Sequence, residues 1–319
     1  MKMTYREALR EGLKNALEKD SRIFLMGEDI GAYGGTYAVT KDFLKLYGSE
    51  RIFDAPLSEN GFTGIGIGAA LGGLRPVVEV MTVNFAFLAL DQIVNSAAVY
   101  RHMSGGQVSV PLVIRTTTGG GRQVAAQHSN SFEGWLTHIP GIKILAPATV
   151  EDARSFLHFA LEDNDPVMIF EHALLLNRSE EVSEKPAMIS PYKALVRKSG
   201  DKLTLITYGG MLQRCLEATE ASSDVEVIDL RSLRPLDTET IFSSVRKTHR
   251  VLIVDEGWKS GSLSAEISAR IMESCFYDLD APVQRLCRRE VPIPYARHLE
   301  LAAIPQTSEI SAKIKEMLS

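Results

Sequence analysis

Apolar positions along this chain follow two alternating rhythms. Tyr5, Ala8, Leu9, Leu13, Ala16 and Leu17 keep the helical period, so one face is greasy and a helix is predicted over 4–19. Short continuous apolar runs follow: "RIFLMG" (22–27), "RPVVEVM" (75–81), "VPLVIRT" (110–116), "IKILAP" (142–147) and "PVMIFE" (166–171). Their β-branched content predicts strands buried on both faces. Helices are predicted between them at 86–102 and 149–162, the latter opened by the capping pattern Thr149-Val150-Glu151-Asp152. Residues 177–192 break the rhythm with charge and two prolines and read as a linker. The alternation then resumes, with strands at 203–209, 225–230, 250–256 and 282–287. Helices are predicted near 211–222, 238–247, 263–275 and 306–318. Buried strands separated by helices define parallel sheets covered on both faces. The expectation is therefore two α/β domains, 1–176 and 193–319, joined by the linker.

Composition narrows the class without changing this picture. At 319 residues with 45% hydrophobic and 24% charged residues, the chain can build large cores. A net charge of −5 offers no general attraction to nucleic acid or to an anionic membrane surface. Cys215, Cys275 and Cys287 are far apart and lack C-x-x-C spacing, which points away from disulfides and zinc and toward a reducing cytoplasm. No stretch reaches the roughly 18 apolar residues of a membrane span.

The stretch "DAPLSENGFTGIGIGAALGGLRP" (54–76) sets one acid, Glu59, before six glycines. Gly64 to Ala69 satisfies the G-x-G-x-x-G/A dinucleotide pattern, but no strand directly precedes it, so the glycines read as a helix built for close packing. In parallel sheets ligands bind beyond the carboxyl ends of strands. That singles out the loops at Gly27-Glu28-Asp29, 56–61, 82–87, 116–130 and Glu171-His172. The loop "TTTGGGRQVAAQHSNSFEGW" (116–135) is permissive at its three glycines and delivers Arg122 and His128. A helix predicted to begin at Ser129 would place His128 at its amino end, where the dipole disfavours a cation and suits a hydrogen-bond donor or proton relay. Phe85 or Phe87 of "NFAF" could offer a flat face to a planar ring. There is no G-x-S-x-G, H-E-x-x-H or Walker-type motif. The "GDG" motif followed by asparagines, which holds magnesium and diphosphate in thiamine diphosphate enzymes, is absent too.

Together, "SENGFTGIGIGAALGGLRPVVEVMTVNF", "DQIVNSAA", "MSGGQVSVPLVIR", "AAQHSNSFEGWLTHIPGIKILAPATVEDA" and "DNDPVMIFEH" resemble the beta subunits of thiamine-diphosphate-dependent 2-oxo acid dehydrogenases. "VEVIDLRSLRPLDTETI" and "RVLIVDEGWKSGSL" resemble the transketolase-type C-terminal domain of that family. The resemblance covers essentially the whole chain. It implies a pyrimidine-binding first domain in which Glu59 hydrogen-bonds a ring nitrogen of the cofactor's aminopyrimidine. It further implies Phe85 against that ring, Leu57 and Glu28 lining the cofactor site, and His128 acting on the substrate carboxylate and in reductive acylation of a lipoyl group. A potassium ion is implied on main-chain carbonyls of Leu112, Ala160, Leu161, Asp163 and Asp165. Where many relatives carry Tyr before "MSGG", this chain has His102, which receives no role.

The missing diphosphate motif then falls to a separate alpha subunit, with magnesium and the diphosphate held there, in an assembly of two alpha and two beta chains. The dihydrolipoyl acyltransferase core is the further partner implied. Pyruvate is the first substrate on overall similarity, with acetoin and branched-chain 2-oxo acids as alternatives. A nicotinamide-dependent oxidoreductase using Gly64–Ala69 and a non-catalytic scaffold are the remoter readings.

Overall fold

The computed structural model describes residues 1–319, and the chain divides into two compact units, residues 1–118 with 137–191 and residues 119–136 with 192–319. The glycine loop, placed in the first domain by its sequence position, thus packs with the second unit.

In the first unit the helix Tyr5–Lys19 buries Tyr5, Ala8, Leu9, Leu13 and Leu17, the periodic face read from the sequence. It is started by a capping box: Thr4 Oγ1 accepts from Glu7 N at 3.2 Å, and Glu7 Oε2 accepts from Thr4 N at 2.7 Å. Its parallel strands run in the spatial order Lys143–Leu145, Val167–His172, Val113–Thr118, Arg75–Val80, Ile23–Gly27, Ile52–Asp54. Val113–Thr118 and Val167–His172 are buried at every position, which explains the apolar runs with which they begin. The expected strand 110–116 starts late because Pro111 has no N–H to give to a ladder.

Two expectations are corrected here. The helix expected over 86–102 is a chain of short pieces, Val83–Ala86, Phe87–Ala89, a π-helical segment Gln92–Ala97 and Tyr100–Met103. The segment 177–192 is not all linker either, since Ser179–Glu181 pairs antiparallel with Lys2–Thr4.

The second unit holds a five-stranded sheet ordered Gln284–Arg288, Val251–Trp258, Leu203–Thr207, Val225–Asp229, Leu195–Lys198. The first four are parallel, and the edge strand Leu195–Lys198, not foreseen in the sequence, runs antiparallel. Helices Met211–Thr219, Thr238–Thr248, Leu263–Cys275 and Thr307–Leu318 occupy the expected intervals. A short helix, Arg297–Ala303, had been missed. No helix is long and apolar enough to cross a membrane.

Candidate active site

The helix Glu59–Leu71 begins at Glu59 itself, on the short loop that leaves the strand Ile52–Asp54. An acid in the first turn faces the positive end of the helix dipole. Glu59 is the only charged residue in the helix, and it is 7% exposed. The glycines lie along the helix interior, not in a turn at its start, so the dinucleotide pattern has no phosphate-cradling turn to work with. Gly66 lets the helix approach the sheet. A Cβ there would meet Val78 Cγ2 at 2.7 Å and Leu112 Cδ1 at 3.4 Å. Gly68, by contrast, faces open space. Gly66→Ala is therefore expected to destabilise the chain. Overpacking of about 1–3 kcal/mol exceeds the helix-propensity gain of about 1 kcal/mol. Gly68→Ala should show only the gain. Thermal melting of the two variants checks the contrast, and equal shifts of the same sign would remove it.

Glu28 directly follows the neighbouring strand Ile23–Gly27, which pairs with both Ile52–Asp54 and Arg75–Val80. Phe85 stands half-buried in the turn Val83–Ala86, just after Arg75–Val80. Glu59, Glu28 and Phe85 are thus delivered from three adjacent strands to one carboxyl edge of the sheet, the position expected of a ligand site. Asp54 holds the loop after Glu28, accepting from Gly31 N at 2.5 Å and Ala32 N at 2.8 Å. Leu57, on the loop before Glu59, projects 86% exposed from the chain.

Glu28 is buried, and its Oε1 has no hydrogen-bond partner. Burial first, then the Glu59 and Asp29 charges, push its carboxyl above the ordinary glutamic range. The folded state therefore resists ionising Glu28. That cost is absent below the ordinary value of about 4.3, grows as pH rises from there toward the raised value, and is complete above it. Glu28→Gln is expected to raise the urea midpoint more at pH 7.5 than at pH 4.5. The reverse ordering would show that the acid is not under electrostatic strain.

The pair of acids and the unpartnered buried oxygen present carboxyl groups at this edge. A carboxyl group can donate to a ring nitrogen when protonated and accept from an exocyclic amine when ionised, which fits the chemistry of an aminopyrimidine. The chain has no group of three His, Cys, Asp or Glu side chains that could hold a metal ion.

Three of the carbonyls expected to bind potassium accept hydrogen bonds from the protein. The Arg75 guanidinium donates Nη1 to the Leu161 and Asp163 carbonyls, the latter at 3.1 Å, and Nη2 to Asn164 Oδ1 at 3.2 Å. The Leu112 carbonyl accepts from Val167 N at 2.9 Å. Lys143 Nζ lies 2.6 Å from Asp163 and 3.2 Å from Asp165, and Arg101 lies 2.5 Å from Asp165. Protein donors and cations thus share this turn, and no step is assigned to potassium.

His128 belongs to the second unit and is exposed. The helix expected at Ser129 starts only at Glu133 and has five residues, Glu133–Thr137. No helix end lies beside the imidazole, so the dipole argument for His128 fails. The loop is instead shaped by side-chain hydrogen bonds that local sequence does not reveal.

Inside the first sheet lies a feature that sequence reading missed. Arg115, on the central strand Val113–Thr118, donates Nε and Nη2 to the two carboxylate oxygens of Glu171 at 2.7 and 2.8 Å. Its Nη1 donates to Glu79 at 2.8 Å. Burial opposes the charge, but Glu171 and Glu79 outweigh it, so Arg115 stays protonated. The signal was present as acids inside otherwise apolar strands, "VVEV" and "VMIFEH".

Two α/β units, the first with a buried acid at the start of an almost uncharged glycine-rich helix, define a transketolase-type protein. Residues 1–178 match the family model "Transketolase, pyrimidine binding domain" and residues 192–310 match "Transketolase, C-terminal domain". The chain is 45% identical over 317 residues to pyruvate dehydrogenase E1 component subunit beta-1, mitochondrial, of Arabidopsis thaliana, covering 97% of this chain and 87% of that protein. To the pyruvate dehydrogenase E1 component subunit beta of Rickettsia bellii it is 41% identical, with 99% of each chain covered. Among solved structures it resembles a split-gene transketolase described as an inactive beta4 tetramer, with a TM-score of 0.81 at 22% identity, covering 99% of this chain and 98% of that one. That likeness speaks to the fold alone. The chain belongs to the family of pyruvate dehydrogenase E1 component beta subunits.

Proposed function

We propose that this chain is the beta subunit of a thiamine-diphosphate-dependent 2-oxo acid dehydrogenase component. Its reaction is the oxidative decarboxylation of pyruvate with reductive acylation of a lipoyl group. The observation that carries the reading is the buried Glu59 carboxylate beside Glu28 on one sheet edge, in a chain whose relatives bear that name. When bound, thiamine diphosphate supplies the carbanion equivalent that attacks the oxo carbon and the electron sink that lets carbon dioxide leave. Glu59 would hold the aminopyrimidine by a hydrogen bond to a ring nitrogen, and burial strengthens that hydrogen bond. Phe85 packs on the ring and excludes water. Glu28, with its raised proton affinity, is suited to keep or pass a proton at the same edge. His128, on the loop of the second unit, hydrogen-bonds the substrate carboxylate and assists transfer to the lipoyl group.

Magnesium and the diphosphate are assigned to an alpha subunit, giving an assembly of two alpha and two beta chains that docks on a dihydrolipoyl acyltransferase core. The buried, unpaired Cys215 and Cys275 suit a reducing compartment, and we place the protein in the cytoplasm. The test is reconstitution with an alpha chain bearing the magnesium–diphosphate motif. Turnover of pyruvate, 3-methyl-2-oxobutanoate and acetoin is then compared, with pyruvate expected to lead by at least about tenfold, near 1.4 kcal/mol. Robust decarboxylation by the isolated chain with thiamine diphosphate would overturn the two-chain reading, and a lead by either other substrate would reassign the specificity.

A further inference from the structure

The loop 119–131 is clamped at both ends by charged side chains remote in sequence. At its entry, Gly120 N donates to Glu256 Oε1 at 2.8 Å. Gly121 N donates to Glu300 Oε1 at 2.8 Å, and Gln123 N to Glu300 Oε2 at 2.9 Å. Glu300 is 0% exposed and sits on the short helix Arg297–Ala303. At the exit, Gly119 N donates to the Asn130 carbonyl at 3.0 Å. There too, Arg288, ion-paired with Glu256 at 3.0 Å, reaches Asn130 Oδ1 at 3.5 Å and Ser131 Oγ at 3.4 Å. Gly120 lies so close to the C-terminal segment that a Cβ there would meet Ile304 Cδ1 at 2.7 Å. Between the clamps, Gln123 and Ala125 hold positive φ angles of 58° and 63°. Non-glycine residues remain in that region only where their surroundings over-determine them. A buried carboxylate spending both oxygens on two loop N–H groups is such a constraint, because charge-assisted bonds of this kind are about twice as strong as neutral ones.

We infer that Glu300 is a positioning residue that sets the backbone conformation of the loop presenting His128. The inference rests on the proposed role of His128 for its functional consequence, but the clamp itself is tested independently of that role.

Hydrogen exchange in the wild-type chain is the direct test. The amides of Gly121 and Gln123 are expected to exchange at least about a hundredfold more slowly than those of Val124 and Gln127 in the same loop, although Gln123 is exposed. Equal exchange across the loop overturns the clamp. In Glu300→Gln one acceptor oxygen becomes an NH2 donor facing an N–H. Protection at one of the two amides should then fall tenfold or more, and tryptic cleavage after Arg122 should accelerate by a similar factor. Unchanged protection and cleavage in a folded Glu300→Gln protein overturn the inference. In the reconstituted enzyme, Glu300→Gln and His128→Ala are each expected to lower reductive acylation of lipoamide, with no further loss in the double variant. Fully additive losses overturn positioning through His128. An inactive-site result of a different kind, no loss in His128→Ala alone, removes the proposed role of His128 and leaves the exchange result to judge the clamp.

Discussion

Glu59→Gln in the reconstituted enzyme should lower the rate of 2-oxo acid decarboxylation by at least about a hundredfold, or more than about 2.7 kcal/mol in the barrier. The amide keeps the shape and the hydrogen-bonding reach of the side chain but loses the negative charge. In a site where Glu59 is nearly shielded from water, that charge cannot be replaced by solvent polarisation. The helix should still form, because it owes its packing to Gly66, Ile67 and Ala70 and not to its first residue. Circular dichroism and the melting temperature should therefore stay close to wild type while turnover falls. A Glu59→Gln enzyme with wild-type decarboxylation would remove the catalytic reading and leave a scaffold with the family's fold. A companion measurement, the affinity for thiamine diphosphate, separates loss of binding from loss of activation.

The largest effect on stability is expected at Arg115. Arg115→Met leaves Glu171 buried with no cation and deprives Glu79 of its partner. Breaking a buried ion pair from one side costs about 3–5 kcal/mol. That is a large part of the total stability of about 5–15 kcal/mol usual for a folded domain. Replacing the acid as well, in Arg115→Met with Glu171→Met, should recover part of the loss, since the fully buried Glu171 no longer leaves an uncompensated charge inside the sheet. Urea unfolding of the single and double variants makes the comparison. A double variant as unstable as the sum of the two single ones would mean that the pair is not the unit holding these strands together. The remaining Glu79 side chain, 16% exposed, keeps part of the penalty in the double variant.

Much of the fold was legible because its signals are local. The 3.6-residue period of residues 4–19 and the capping pattern at Thr149 are properties of a few consecutive residues, and the helices Tyr5–Lys19 and Val150–Glu162 followed them. The strand after Arg75 was readable despite Glu79 because the other positions are apolar and β-branched. Where two preferences compete over a longer span, the reading failed. Residues 86–102 have helical apolar spacing, yet where they pack against the glycine-rich helix they form short turns and a π-helical segment. Ser129 to Phe132 carry good capping residues, but Arg288 takes Asn130 and Ser131 into its own hydrogen bonds and the helix waits until Glu133.

The candidate site divides the same way. Glu59 was conspicuous by being a solitary acid before an uncharged run, and the helix it begins is a local feature, whereas its burial came with the tertiary packing. The pairings in the Arg115 network and the Glu300 clamp could not be read, because the partners are separated by 56 and 179 positions along the chain; the acids within the strands were the one local trace of the former.

Sequence alone determined the alternation of elements, the two-unit organisation and the acid that stands at the head of the glycine helix, since each depends on residue type and short spacing. Only the tertiary structure decided which acids became buried partners, which loop backbone they restrain and where the predicted helices stop. The physical reason is that a carboxylate in water is content with any neighbour. Once folding removes the water it must be given specific hydrogen-bond donors, and the chain supplies them from wherever the sheets bring it close.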